Sequence, residues 1–203
     1  GDADPDPANW ARLTDPSFAY TPQVPDAEKN IKVPAWLNDV TLYHNRGNSH
    51  WVGESSLYGD FSGLDDLATE NPRVVAGMID IFGGWIDKYG IDGFRCDVAG
   101  WVPTDFWETA RAELDKIKPV FMLAEWEQRD LHRSAFDATY GWGWKEAFQK
   151  LAKSGEGAGP IRGYYNEQQE TWPRAAMRMV YTENHDQNSW DGVAARLVDA
   201  VDR

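Results

Sequence analysis

The apolar positions between residues 71 and 124 fall into two rhythms. Val74, Val75, Met78, Ile79, Phe82, Trp85 and Ile86 recur at three- and four-residue spacing, which predicts one apolar face of a helix. Asn71 stands before them as a cap, Pro72 suits the first helical position, and the helix is expected to end near Gly90. Ile91–Asp97 then reads as a short strand. Thr104 and Asp105 open a second helix with Phe106, Trp107, Ala110, Leu114 and Ile117 on one face, and Pro119 stops it. The all-apolar run from Val120 to Ala124, closed by Glu125, predicts a strand buried on both faces. Further along, the pattern predicts a strand over Ala135–Thr139, a helix over Gly143–Lys153, a glycine-rich break over Ser154–Gly163, a strand over Met177–Thr182 and a last helix over Gly192–Val201. Strands alternating with helices predict parallel β/α units, an α/β fold.

The first 70 residues lack this order. Six of the eleven prolines fall within residues 1–40, where periodicity is weak and loop is expected. Val40-Thr41-Leu42-Tyr43 reads as a short extended piece. Asn45–Gly63 is a long irregular stretch with Trp51 and Tyr58 embedded, and His44, just before it, and His50, within it, lack metal-ligand spacing. The division expected is a loop-rich segment over 1–70 and β/α units over 71–203.

Composition narrows the partners. With 203 residues, 42% of them hydrophobic, the chain can bury one sizeable core. A formal charge of −13 repels nucleic-acid backbones and anionic membranes. No apolar run approaches the roughly 20 residues of a membrane span, and the first residues show no basic-then-apolar leader pattern. The single cysteine, Cys96, excludes an intrachain disulfide and reads as a small buried hydrophobe. Eleven tryptophans are many for packing alone; most are assigned to the core and a minority to ligand contact, since flat amphipathic rings suit sugar faces.

The chemistry centres on Gly90-Ile91-Asp92-Gly93-Phe94-Arg95-Cys96-Asp97-Val98. In a strand, residues two apart share a side, so Arg95 and Asp97 project together. A structural ion pair accounts for them as well as a guanidinium holding a nucleophilic carboxylate ionised does. Three strands end on acids: Asp97, Glu125 and Asp186. In parallel β/α folds such ends share one rim, where clustered acids repel and the least solvated keeps its proton. Glu125, leaving the most apolar strand beside Trp126, is the expected acid. One ionised and one protonated carboxyl is the pair glycoside hydrolysis uses. A divalent metal site is the competing use of such acids; the tryptophans and Arg95 favour sugar chemistry.

Gly93-Phe94-Arg95-Cys96-Asp97, Ala124-Glu125-Trp126 and Glu183-Asn184-His185-Asp186 resemble, in order, three signature regions of glycoside hydrolase family 13, the α-amylase family. Gly63-Leu64-Asp65-Asp66-Leu67 resembles a fourth, at the end of that family's B domain. Each is weak alone; four in family order are a strong signal. The resemblance implies a (β/α)8 TIM-type barrel and a retaining mechanism on the α-glucosidic, α-1,4 bonds of starch-like glucans or maltooligosaccharides. It implies Asp97 as nucleophile, Glu125 as acid and base, and Asp186 as a third acid on sugar hydroxyls. Arg95, His185 and Trp126 are implied as substrate-side residues, and Asp66 as a calcium carboxylate in those members that hold the ion. It also favours secretion, with the cytoplasm left open.

The sequence departs from the family pattern in places. Gly100 and Trp101 stand where many members carry a Lys-His pair, closer to the cyclodextrin and oligosaccharide hydrolases. The family's first signature is absent from residues 1–60, and strands 1–3 and 8 are not recognisable. A complete barrel takes about 250 residues. The expectation is therefore the central-to-late part of a barrel, strands 4–7, with low activity on its own. A carbohydrate-binding or inert fragment, a transglycosylase of the same family and a metal-dependent hydrolase are the alternatives.

Overall fold

The computed structural model describes residues 30–39, 42–43, 67–154 and 157–186. The Gly192–Val201 helix and Asp66 lie outside them, as do most of the loop-rich segment's residues. The chain divides into two compact units: Gly1–Ile91 with Trp101–Pro119, and Asp92–Gly100 with Val120–Arg203.

In the first unit, α1 (Pro72–Tyr89) begins where Asn71 accepts a hydrogen bond from the Arg73 N–H at 2.9 Å, with Pro72 in the first turn. It ends at Gly90, whose φ of 65° is the left-handed closure that glycine takes without a Cβ penalty. Val74, Gly77, Gly83 and Ile86 are its buried residues. Trp85, expected on the apolar face, is instead exposed and meets the Tyr89 ring at a tilt, 4.8 Å between centres. The indole of Trp36 lies where a Cβ at residue 77 would stand, and Ile117 approaches Gly83. α2 (Thr104–Ile117) buries Phe106, Trp107, Ala110 and Leu114. In the expected extended piece, Tyr43 makes one antiparallel bridge to Leu67.

The second unit carries four parallel strands, β1 (Gly93–Cys96), β2 (Phe121–Ala124), β3 (Ala138–Tyr140) and β4 (Met177–Met179), side by side in chain order. That order is the arrangement of consecutive barrel strands. Register pairs Arg95 with Leu123 and Cys96 with Ala124, and continues through Leu123 with Ala138 and Tyr140 with Met179. Asp137 ties the strand beginnings: its carboxylate accepts the Met122 N–H at 2.8 Å, and its own N–H donates to the Met122 carbonyl at 3.0 Å.

Two expectations fail here. β2 is buried on one face only: Met122 and Ala124 have no exposure, whereas Phe121 keeps 47%. Its apolar run suits a sheet covered on both sides, and the described strands leave Arg95's side partly open. Between β3 and β4 the chain forms two helices, α3 (Trp142–Ser154) and α4 (Gly159–Thr171). The second starts inside the expected break. Pro160 in its first turn and the buried Tyr164 packed near Gly143 outweigh the glycines.

Candidate active site

The register brings the acids together. With Cys96 level with Ala124, Asp97 and Glu125 leave the sheet side by side, and the Glu125 N–H donates to the Cys96 carbonyl at 2.9 Å. Arg95 spans the two carboxyls. One guanidinium nitrogen, Nη1, pairs with Asp97 Oδ1, while Nη2 lies 3.0 Å from Glu125 Oε1. Its Nε donates to the Tyr140 hydroxyl at 3.3 Å. Burial works against the Arg95 charge, yet Tyr140 and the two acids hold its pKa above the ordinary value.

The two carboxyls sit in unlike surroundings. Asp97 keeps 71% of its side chain exposed, Glu125 16%. Burial raises the Glu125 pKa above the usual carboxylate range, against the Val98 N–H and Arg95, which favour its ion; the charge of Asp97 and a hydrogen bond with it push further upward. The upward direction is the one expected for Glu125 from the sequence. The Val98 N–H donates to Glu125 Oε2 at 2.8 Å.

Trp126, directly after Glu125, sets its indole where a Cβ at Gly100 would fall, so the missing side chain at position 100 makes room for the ring. It meets Trp142 edge-on at 5.5 Å, and Trp142 in turn meets Tyr140 at 6.2 Å. At Asp186, His185 Nε2 lies 3.3 Å from the carboxylate Oδ1, and the Asp186 backbone N–H donates to the Asn184 side chain at 3.2 Å. Tyr181 meets the Tyr140 ring at 5.6 Å. Burial lifts its phenol to about 12, with the charges of Tyr140, Glu127, Asp186 and Glu125 adding to the rise. The structure thus joins Arg95, Asp97 and Glu125 by direct contact, while Asp186 and His185 meet each other.

Sequence reasoning missed Tyr140, Tyr181 and the Val98 amide. The strand-end rule that found the acids applies equally to the tyrosines, which close β3 and follow β4. A backbone donor leaves no trace in residue type. Glu127 and Arg178 were also passed over. Arg178 reaches Glu127 and the Tyr140 carbonyl, binds Gln168 Oε1 at 2.8 Å and lies 3.6 Å over the Trp172 ring. Glu127 also accepts the Gly143 N–H at 3.0 Å, so this acid braces strand ends.

Among the described residues no group of three or more His, Cys, Asp or Glu side chains could hold a metal ion, and none of the helices is long and apolar enough to cross a membrane. The calcium carboxylate implied at Asp66 falls outside them, and the described residues do not by themselves build such a site.

Parallel strands side by side in chain order, with a bridged pair of unlike carboxyls at their ends, are what one part of a β/α barrel presents. Residues 10–198 match the family described as alpha amylase, catalytic domain. The chain is 37% identical over 193 residues to an alpha-amylase of Streptomyces lividans, covering 87% of this chain and 21% of that protein. It is 30% identical over 124 residues to a cyclomaltodextrin glucanotransferase of Geobacillus stearothermophilus, 60% of this chain and 17% of that one. Among solved structures, a noncanonic maltogenic alpha-amylase from Thermotoga neapolitana matches with a TM-score of 0.57 at 32% identity, over 62% of this chain and 30% of that one. An Anoxybacillus alpha-amylase matches with a TM-score of 0.62 at 26% identity, over 74% and 36%. The chain belongs to the alpha-amylase family, and its four parallel strands are part of a (β/α)8 barrel. It spans about a fifth of the length of these curated relatives.

Proposed function

We propose that this chain carries the catalytic strands of a retaining glycosidase acting on α-1,4-linked glucans or maltooligosaccharides. The observation that carries the reading is Arg95 bridging a solvated Asp97 and a partly buried Glu125. Asp97 attacks the anomeric carbon while the bond to the leaving oxygen breaks and Glu125 passes that oxygen its proton. Water then attacks the same carbon, its proton goes to Glu125, and Asp97 is released. Retention is the reading proposed, for which the two carboxyls stand about 5–5.5 Å apart, whereas an inverting pair stands about 6.5–9.5 Å apart to admit a water. Asp186 and His185 are assigned to sugar hydroxyls, and Trp126 to a sugar face. The likeness to a cyclomaltodextrin glucanotransferase supports a second reading, in which a sugar hydroxyl replaces water as acceptor.

The test is reducing-sugar release from maltooligosaccharides. Asp97→Asn and Glu125→Gln should each cut it by about 10²–10⁴-fold, and NMR of the first-formed product should show the α anomer. Activity retained in either variant, or a β product, overturns the assignment; cyclic or lengthened products select the second reading. Calcium held in part by Asp66 belongs to the proposal as a structural ion. EDTA should then lower the melting temperature of the wild type and leave that of Asp66→Asn unchanged; equal melting of the wild type with and without EDTA removes it.

A further inference from the structure

Val98 follows Asp97 and has a φ of 45°. This is the left-handed region, where a β-branched side chain crowds its own backbone. Asn30, with φ of 61°, is the other non-glycine residue at positive φ among those described, and asparagine tolerates that region. Valine does not, and glycine would take the conformation at less cost. A strained residue beside reacting groups is held there by its surroundings, and the useful question is what the strain delivers. Here it delivers a backbone N–H, 2.8 Å from Glu125 Oε2. The other oxygen of that carboxyl faces Arg95 Nη2 at 3.0 Å.

We propose that Val98 is a positioning residue for the acid and base: its left-handed backbone turns the peptide N–H onto Glu125 Oε2, fixes the carboxyl's rotation and stabilises its ionised form. This rests on the reading of Glu125 given above and deepens it. Once Glu125 has given its proton away, it must carry a negative charge until water arrives, and a fixed amide is a donor needing no rearrangement at that moment. The groups facing Glu125 are Arg95 from β1, Asp97 beyond it and Tyr181 after β4, with Tyr140 from β3 acting through Arg95. Of the donors among them, the Val98 amide is the one no side-chain exchange removes, so the position depends on conformation.

Replacing Val98 by its α-hydroxy analogue turns the amide between residues 97 and 98 into an ester and deletes the N–H alone. Val98→Gly keeps the N–H and accepts the same φ. Glu125 is followed by ¹³C NMR in chain labelled at the glutamate carboxyl, with the resonance assigned by Glu125→Gln. The ester should raise the titration midpoint by about one pH unit, because it removes a donor to the ion, while Val98→Gly should leave it within about 0.3 pH unit. An unmoved midpoint in the ester, or an equal rise in Val98→Gly, overturns the proposal. Should the ester fail to fold, the unsubstituted chain decides: the Val98 amide proton must move with pH along the Glu125 curve, and one that ignores it overturns the proposal. Titration needs no turnover, so this failure is separate from the hydrolysis test, in which the roles of Asp97 and Glu125 stand or fall.

Discussion

Replacing Arg95 by methionine keeps much of the side chain's length and removes the one charge that touches both carboxyls. At 3.0 Å from Glu125 Oε1, the Coulomb energy is about 5.5 kcal/mol with partial screening and about 1.4 kcal/mol with the screening of bulk water. Arg95 at 29% and Glu125 at 16% exposure place the pair between those limits. Arg95 favours the ionised form of Glu125, so its loss must move that carboxyl further upward. A midpoint that rises by one pH unit corresponds to about 1.4 kcal/mol, so even full screening predicts a rise of about that size. In the pH profile of kcat/KM, the limb where the acid loses its proton should therefore move to higher pH by about one unit or more. At the optimum, kcat/KM should fall by about 10- to 100-fold, since Asp97 loses a charged hydrogen-bond partner. The ¹³C titration of Glu125 reads the same change without turnover, and far-UV circular dichroism reports whether the fold survives. Arg95→Lys should reverse part of the rise and restore little of the Tyr140 contact, because an ammonium lacks the guanidinium fork. A folded Arg95→Met chain with the limb in place would leave Arg95 as a structural ion pair and refute the electrostatic reasoning.

Other expectations concern stability. A Cβ at Gly93 would stand 2.1 Å from the Phe121 carbonyl oxygen, a backbone atom that cannot swing away, so Gly93→Ala should cost about 3 kcal/mol or more in urea unfolding. Gly84→Ala, in α1 with open space around it, should instead stabilise by about 0.4–1 kcal/mol; a similar sign for both would contradict the strand contact. Gly100→Ala meets the Trp126 ring, a side chain rather than backbone, and should change tryptophan fluorescence with a smaller loss of stability than Gly93→Ala. Burial and the nearby Arg178 lower the His132 pKa, and the ring lies 3.0 Å from Thr139 Oγ1. The unfolded chain then binds a proton that the folded one refuses. Stability should be full above the ordinary imidazole range and decline as pH falls through about 6.5. His132→Gln should flatten the dependence of thermal melts on pH between about 5 and 7, and an unchanged slope would show that His132 is not the group responsible.

The elements that carried strong local signals were legible. The cap, proline and helical spacing of residues 71–90 name α1 almost to the residue, and the strands were placed within a few positions. The missed helix α4 had its glycines read as a break, while the information that orders it, packing of Tyr164 near Gly143, is tertiary. Likewise Phe121 looks like core in any window of sequence, and its exposure follows from which strands stand opposite. The Asp97–Glu125 pairing was legible because strand ends in a parallel sheet share a rim. The second ion pair of Arg95, to Glu125, was not, because it crosses from one strand to the next.

The unlike surroundings of the two acids follow from register rather than from their own chemistry. Arg95 lies level with Leu123 and Cys96 with Ala124, so Asp97 and Glu125 stand on Arg95's side of the sheet while Met122 and Ala124 are sealed behind it. A slip of one residue would send Glu125 to the sealed side and leave Arg95 facing Asp97 alone. With the register in place, Glu125 emerges where burial raises its pKa, and Asp97 turns outward into solvent. The same guanidinium contacts both, yet its effect differs: it offsets burial at Glu125 and neutralises a solvated charge at Asp97. Two carboxyls in unlike surroundings thus arise because one strand end is covered and its neighbour is open, which is the difference the proposed acid and nucleophile require. At the start of the same strand pair Gly93 lies level with Phe121 and so close to its carbonyl that no Cβ fits there.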